Sequence, residues 1–117
     1  CGAAEQRALE AFARITAQEL SARLEQGWDP VIVDVRGPEE RKIVRLTEAQ
    51  HDCLPEEIVD FAANYSSDTE IVVHCKGGGR SAYACQKLVE QGFTKVFNLE
   101  GGILQWIDSV DPTLPRY

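Results

Sequence analysis

The 117-residue sequence has no methionine, not even at position 1, and only two histidines. A chain without an initiator reads as a piece cut from a longer polypeptide. Four cysteines occur, Cys1, Cys53, Cys75 and Cys85. No two sit at zinc-knuckle spacing, and with so few histidines no metal site is expected. The cysteines show no dense framework spacing in a chain large enough for a real core. They are read as reduced, in a cytoplasmic protein. Basic residues are outnumbered, 12 Lys and Arg against 19 Asp and Glu, for a net charge of −7. That deficit argues against nucleic acid as the main partner, since phosphate recognition wants a basic face. No apolar run approaches the ~20 residues that span a bilayer. Residues 1–14 lack the apolar segment of a signal peptide. What remains has the size and the 44% hydrophobic content of one globular domain.

Local patterns divide the chain. Residues 1–14 are Ala-rich and read as a linker or an added N-terminal helical extension, with the domain proper at 15–117. "ITAQELSARLEQG" reads as a helix with a capping box, Thr16 followed by Glu19, and a stop at Gly27. "VIVDV" (31–35) is a short apolar run and reads as a buried strand. A short charged helix is expected from Pro38, a short strand near 49–53, and a helix from Pro55 with Ile58, Val59 and Ala62 or Ala63 inward. "EIVVHC" reads as a second buried strand, 80–91 as a helix with Ala84, Leu88 and Val89 inward, "KVFNLEG" as a third strand and "GGILQWIDSV" as a last helix. Alternating strands and helices predict an α/β fold: a doubly wound parallel β-sheet with helices on both faces. In such folds ligands sit beyond the carboxyl ends of the strands. Two strand ends carry unusual residues there, "DVR" (Asp34, Arg36) and "CKGGGRS" (Cys75 to Ser81).

The second of these has the makings of an anion nest. Gly77, Gly78 and Gly79 allow positive φ and inward N–H groups. The helix that follows adds its positive end, and Lys76 and Arg80 add full charges. Such surroundings favour a thiolate over a thiol, so Cys75 is expected to be a nucleophile. The simpler alternative is a buried structural cysteine beside a tight turn, which would not require three glycines and two cations. Cys75 to Arg80 spans Cys-x4-Arg, one residue short of the Cys-x5-Arg ring with which cysteine phosphatases encircle phosphate. A smaller ring suits a smaller group, such as one sulfur atom carried as a persulfide, Cys75–S–S⁻.

Taken together, "VIVDVRGPEE" (31–40), "IVVHCKGGGRSAYA" (71–84) and "LEGGILQW" (99–106) resemble the rhodanese domain, a sulfurtransferase module, over about Ile15 to Tyr117. The resemblance implies that Cys75 carries the persulfide as catalytic residue with Arg80. It implies that Lys76, Gly77, Gly78, Gly79, Arg80 and Ser81 form the cradle, that Asp34 and Arg36 match a strand-end pair below it, and that Gly101, Gly102 and Trp106 close the domain. It implies no cofactor beyond the covalent persulfide. "CG" at the start, "ITAQEL" and "DPTLPRY" further resemble the C-terminal rhodanese of fusion proteins in which a ThiF/MoeB-type adenylyltransferase domain precedes it. That implies a ubiquitin-like sulfur carrier protein as acceptor and a thiocarboxylate product feeding molybdopterin or tRNA thiolation. It also implies a donor such as thiosulfate or a cysteine desulfurase, while the charge balance and the short apolar runs leave no part for nucleic acid or membrane.

Some positions depart from the family or admit two readings. "LTEAQHDC" (46–53) lacks the family's Pro-Gly-Ala turn, and Arg41 stands where an aromatic is usual. Arg41, Lys42 and Arg45 form a basic strip, either a solvated helix face or a docking surface for an acidic carrier. Asp34 and Arg36 are either a structural ion pair or substrate contacts. His74 should point to the opposite side of its strand from Cys75 and reads as a core residue rather than a base. Cys53 is either inert or a resolving thiol; Cys85, Trp28 and Trp106 read as packing residues. Two rival functions remain: a non-catalytic docking module of the same fold, and a cysteine phosphatase or arsenate reductase.

Overall fold

The computed structural model describes residues 12–117. Five strands form one sheet: β1 (Ala13–Ile15), β2 (Val31–Asp34), β3 (His51–Asp52), β4 (Ile71–His74) and β5 (Val96–Leu99). Their order is β1-β5-β4-β2-β3 and every pairing is parallel. Four helices connect them, α1 (Ala17–Glu25), α2 (Pro38–Ile43), α3 (Ile58–Ala62, entered through a 3₁₀ turn at Pro55–Glu57) and α4 (Gly79–Glu90), and a fifth, α5 (Gly102–Ser109), follows β5.

Side chains alternate across each strand and build two cores. Ile32, Val72 and Leu99 face α1 and α5, where Leu20, Ile103, Trp106 and Ile107 meet them. Val33, Val73 and Val96 face α3 and α4, where Ile58, Ala62, Ala84, Cys85 and Leu88 meet them. Full burial of a side chain such as Leu20 or Leu88 contributes about 1.5–3 kcal/mol, enough to hold each helix to its face. The doubly wound parallel sheet is therefore present as expected. Of the inward residues, Ala84 and Leu88 are buried, Val89 is half-buried and Ala63 is exposed.

The α1 capping box forms in both directions: Glu19 N–H donates to Thr16 Oγ1 at 3.1 Å, and Thr16 N–H donates to Glu19 Oε1 at 3.0 Å. The N-terminal boundary needs correction. Ala13 and Arg14, read as linker or helix, belong to edge strand β1, paired with Phe97 and Asn98 of β5. Residues 1–11, with Cys1, lie outside the described residues. The strand expected near 49–53 contracts to His51–Asp52. No described helix is long and apolar enough to cross a membrane.

Parallel pairing brings all the strand ends to one edge. Val33 pairs with Val73, and Val73 with Asn98. The chain segments after Asp34, His74 and Leu99 therefore emerge side by side.

Candidate active site

β4 ends at His74, and Cys75 begins the loop that feeds α4. Cys75 is only 1% exposed. Gly78 N–H donates to Cys75 Sγ at 3.1 Å and Ser81 N–H at 3.4 Å, and Ser81 Oγ lies 3.4 Å away. Two backbone donors and the N-terminal end of a twelve-residue helix thus converge on one sulfur. Both favour negative charge there. Gly78 has φ +111°, the left-handed region, and this turns its N–H back toward the sulfur.

The opposite side of the loop is fixed by α5. Ile103 N–H donates to the Cys75 carbonyl at 2.9 Å and Leu104 N–H to the Lys76 carbonyl at 3.3 Å. These are otherwise orphan donors of a helix start. A trans peptide carries its N–H opposite its C=O, so the N–H groups of Lys76 and Gly77 face away from α5. Gly102 allows this approach, because a Cβ there would lie 2.5 Å from the Cys75 carbonyl oxygen and collide with that of Lys76. Asn98 of β5, buried at 5% exposure, holds the third side. Ser81 Oγ lies 2.5 Å from Asn98 Oδ1 and 3.1 Å from the Gly78 carbonyl, to which Asn98 Nδ2 donates at 3.3 Å. Ser81 has one hydroxyl proton, so these acceptors compete with Sγ for it.

A glycine-rich loop centred on a buried cysteine at the carboxyl edge of a five-stranded parallel sheet has known counterparts. The sequence profile of the rhodanese-like domain matches residues 16–109. The chain belongs to the rhodanese-like domain family. A sulfurtransferase of Allochromatium vinosum is 34% identical over 93 residues, 79% of this chain and 85% of that protein. The probable adenylyltransferase/sulfurtransferase MoeZ of Mycobacterium tuberculosis is 32% identical over an alignment of 122 residues, which takes in 100% of this chain and only 31% of MoeZ. A rhodanese-like domain protein from Staphylococcus aureus superposes with a TM-score of 0.74 at 28% identity, covering 90% of this chain and 98% of that one.

Within this rhodanese-like domain, each of the two loop cations has a partner on another segment. The Arg80 guanidinium is held by Glu40 through two hydrogen bonds of 2.6 and 2.9 Å, and none of its described hydrogen bonds reaches Sγ. Arg80 holds the Glu40 carboxyl well below the usual range, at about 2. The Lys76 ammonium lies 4.5 Å from the ring centroid of Tyr117. Among the glycines, a Cβ at Gly77 or Gly79 would meet open space, so their positions are not crowded in the way Gly78 and Gly102 are.

Of the two readings of Asp34 and Arg36, the structure shows the ion pair, with both residues 0% exposed. Arg36 Nε donates to both Asp34 oxygens at 3.0 and 3.1 Å, and Nη2 donates to Asp34 Oδ2 at 2.7 Å and to the Val44 carbonyl at 2.8 Å. Arg36 Nη1 donates to Tyr117 Oη at 3.0 Å. The pair ties the segments around α2 under the strand ends. Burial raises the Asp34 carboxyl, but its bonds to Arg36 outweigh that and leave it below the ordinary value.

His74, also 0% exposed, faces Asp34 across the register, with Nε2 3.9 Å from Asp34 Oδ2. Burial lowers it to about 4, against the pull of Asp34, with Arg36 and Arg45 also disfavouring the charged ring. Folding therefore prefers neutral His74. The unfolded chain protonates first as pH falls below ~6.5, and native stability drops until about pH 4. The loss should total about 3 kcal/mol. Urea unfolding of wild type and His74→Leu should show the extra pH slope between 6.5 and 4.5 only in wild type. Equal slopes would contradict the buried neutral ring.

The other cysteines stand apart. Cys53, Cys75 and Cys85 are free thiols. Burial, with Glu57 and Asp52 nearby, pushes Cys53 up to about 11, the wrong direction for a resolving thiolate. Burial likewise pushes up Cys85, which packs in the α4 core. Trp106 is buried, and Trp28 packs edge-on against Phe97. The basic strip is partly occupied: Arg41 and Arg45 lie 3.7 and 3.3 Å from Asp52, and Arg41 also bonds the Arg36 carbonyl. Sequence reasoning assigned no role to Glu40, Asn98 or Tyr117. Asn98 left one signal, a polar residue inside an apolar strand.

Proposed function

We propose that this rhodanese-like domain is a sulfurtransferase that carries sulfane sulfur as a persulfide on Cys75. The observation behind this reading is the convergence of the Gly78 and Ser81 N–H groups on one buried sulfur. The Cys75 thiolate attacks the outer sulfur of thiosulfate. The thiosulfate S–S bond breaks, and sulfite leaves with its electron pair. The new atom stands ~2 Å beyond Sγ, which brings reactive sulfur outward from a residue that is itself buried. The N–H groups of Lys76 and Gly77, directed away from α5, remain to receive it. A nucleophilic acceptor such as cyanide then takes the terminal sulfur and returns the Cys75 thiolate. No cofactor enters either step.

The alignment with MoeZ along the whole chain supports a finer reading, with an adenylated ubiquitin-like sulfur carrier as acceptor and a fused adenylyltransferase domain in the full-length protein. The terminal persulfide sulfur attacks the adenylated carboxyl and AMP leaves. An external thiolate then attacks Cys75 Sγ, the S–S bond breaks, the thiocarboxylate leaves, and a further equivalent of thiol reduces the mixed disulfide left on Cys75. In this reading the donor is a protein persulfide, such as that of a cysteine desulfurase, or thiosulfate.

Assays for thiosulfate:cyanide sulfurtransfer and for aryl phosphate hydrolysis on the same preparation separate the rival readings. Thiocyanate should form, and phosphate should not be released. Phosphate release without thiocyanate would favour a phosphatase, and neither product would favour a docking module.

A further inference from the structure

The sequence places two cations in the loop around the sulfur, and the structure pairs one of them, Arg80, with a carboxylate. Glu40 receives Arg80 Nη1 at 2.6 Å and Nη2 at 2.9 Å, Tyr117 Oη at 2.6 Å, and Gly37 N–H at 3.3 Å. It is therefore anchored from α4, from the C-terminal segment and from its own helix start. Tyr117 is anchored in turn. Its hydroxyl accepts from Arg36 Nη1 at 3.0 Å, and Arg36 is locked by buried Asp34. The chain Asp34–Arg36–Tyr117–Glu40–Arg80 runs without a break from the sheet to the helix whose first turn faces Cys75.

Carboxylate and guanidinium cancel at this position. The Glu40 side chain is 24% exposed and that of Arg80 41%, so the pair stands partly in solvent beside the loop. A small dianion approaching the loop meets a closed ion pair where an open pair of cations would have attracted it.

On the reading of Cys75 given above, we infer that Glu40 is a specificity-determining residue, with Tyr117 as its positioning residue. By occupying Arg80 it biases the loop against small dianionic sulfur donors and toward donors with less negative charge, such as a thiol persulfide.

The test uses two readouts on the same protein: KM for thiosulfate, and the ratio of Cys75 alkylation rates with iodoacetate and with neutral iodoacetamide, followed by peptide mass. Glu40→Gln frees Arg80. It should lower KM for thiosulfate and raise the alkylation ratio by about three- to tenfold, with little change in the iodoacetamide rate. Tyr117→Phe keeps the ring beneath Lys76 but removes the hydroxyl from Glu40, and should move both readouts about twofold the same way. Arg80→Gln leaves Glu40 unopposed and should move them the other way; combined with Glu40→Gln it should return them toward wild type. High salt should shrink every difference. A merely structural role would alter both alkylation rates together and leave their ratio fixed. An unchanged ratio in folded Glu40→Gln overturns the inference. If that variant does not fold, an unchanged ratio in Arg80→Gln overturns it equally. Failure of wild-type Cys75 to take up sulfur would instead defeat the sulfurtransferase reading, and the alkylation ratio would still decide the electrostatic role of Glu40.

Discussion

Gly102→Ala should destabilise the domain by about 2–5 kcal/mol, combining left-handed backbone strain with overpacking, and should abolish measurable sulfur transfer. Gly102 has φ +60°, and an added Cβ would press on the Cys75 and Lys76 carbonyls. Both contacts are backbone, so no flexible side chain can swing aside. Relief requires α5 to withdraw from the loop, which breaks the Ile103 and Leu104 hydrogen bonds to those carbonyls. The peptide planes then turn, and the N–H groups directed away from α5 lose their aim. Gly27→Ala is the control. Gly27 has φ +99° but nothing within 4 Å of a Cβ, so it incurs the strain without the collision. Thermal melts should place Gly102→Ala about 10 °C or more below wild type, with Gly27→Ala between them and fully active. Wild-type transfer by Gly102→Ala would show that α5 does not set the loop.

The parts of the fold that were legible in the sequence have local causes. Thr16 and Glu19 lie three residues apart and cap α1 by themselves. "VIVD", "IVVH" and "VFNL" are short apolar runs, and each became a central strand. The strands that were missed or overextended lack such causes. β1 is three residues long, and two of its members, Ala13 and Arg14, are exposed. Only its pairing with β5 makes it a strand. β3 is only His51–Asp52, the two residues in register with Val33 and Asp34, and the sequence "TEAQHDC" does not show where that pairing stops.

The candidate site divides in the same way. Cys75, Gly78 and Ser81 are contiguous, and a strand-to-loop-to-helix pattern was enough to place them. Asn98, 17 residues from Ser81, and Glu40, 40 residues from Arg80, arrive only through the sheet order and the tail. The charge of Arg80 was visible in the sequence, but its partner was not. Likewise "DVR" marked a strand end, but the burial of Asp34 and Arg36 depends on the cover provided by α2 and Tyr117. This is why a residue pair that could have met substrate proved to be an internal anchor.

Uptake of one sulfur atom at Cys75 tests the central claim most directly, and its loss on substitution should be complete. Cys75→Ala removes the thiol that receives the Gly78 and Ser81 N–H groups. It leaves Cys1, which lies outside the described residues, Cys53, which burial keeps protonated, and Cys85, packed in the core. After treatment with thiosulfate and removal of excess reagent, intact-mass measurement should show one added sulfur in wild type, mapped to Cys75 and removed by cyanide or dithiothreitol. The Cys75→Ala protein should show none. The same added sulfur in Cys75→Ala, or equal labelling of Cys53 in wild type, would contradict the account.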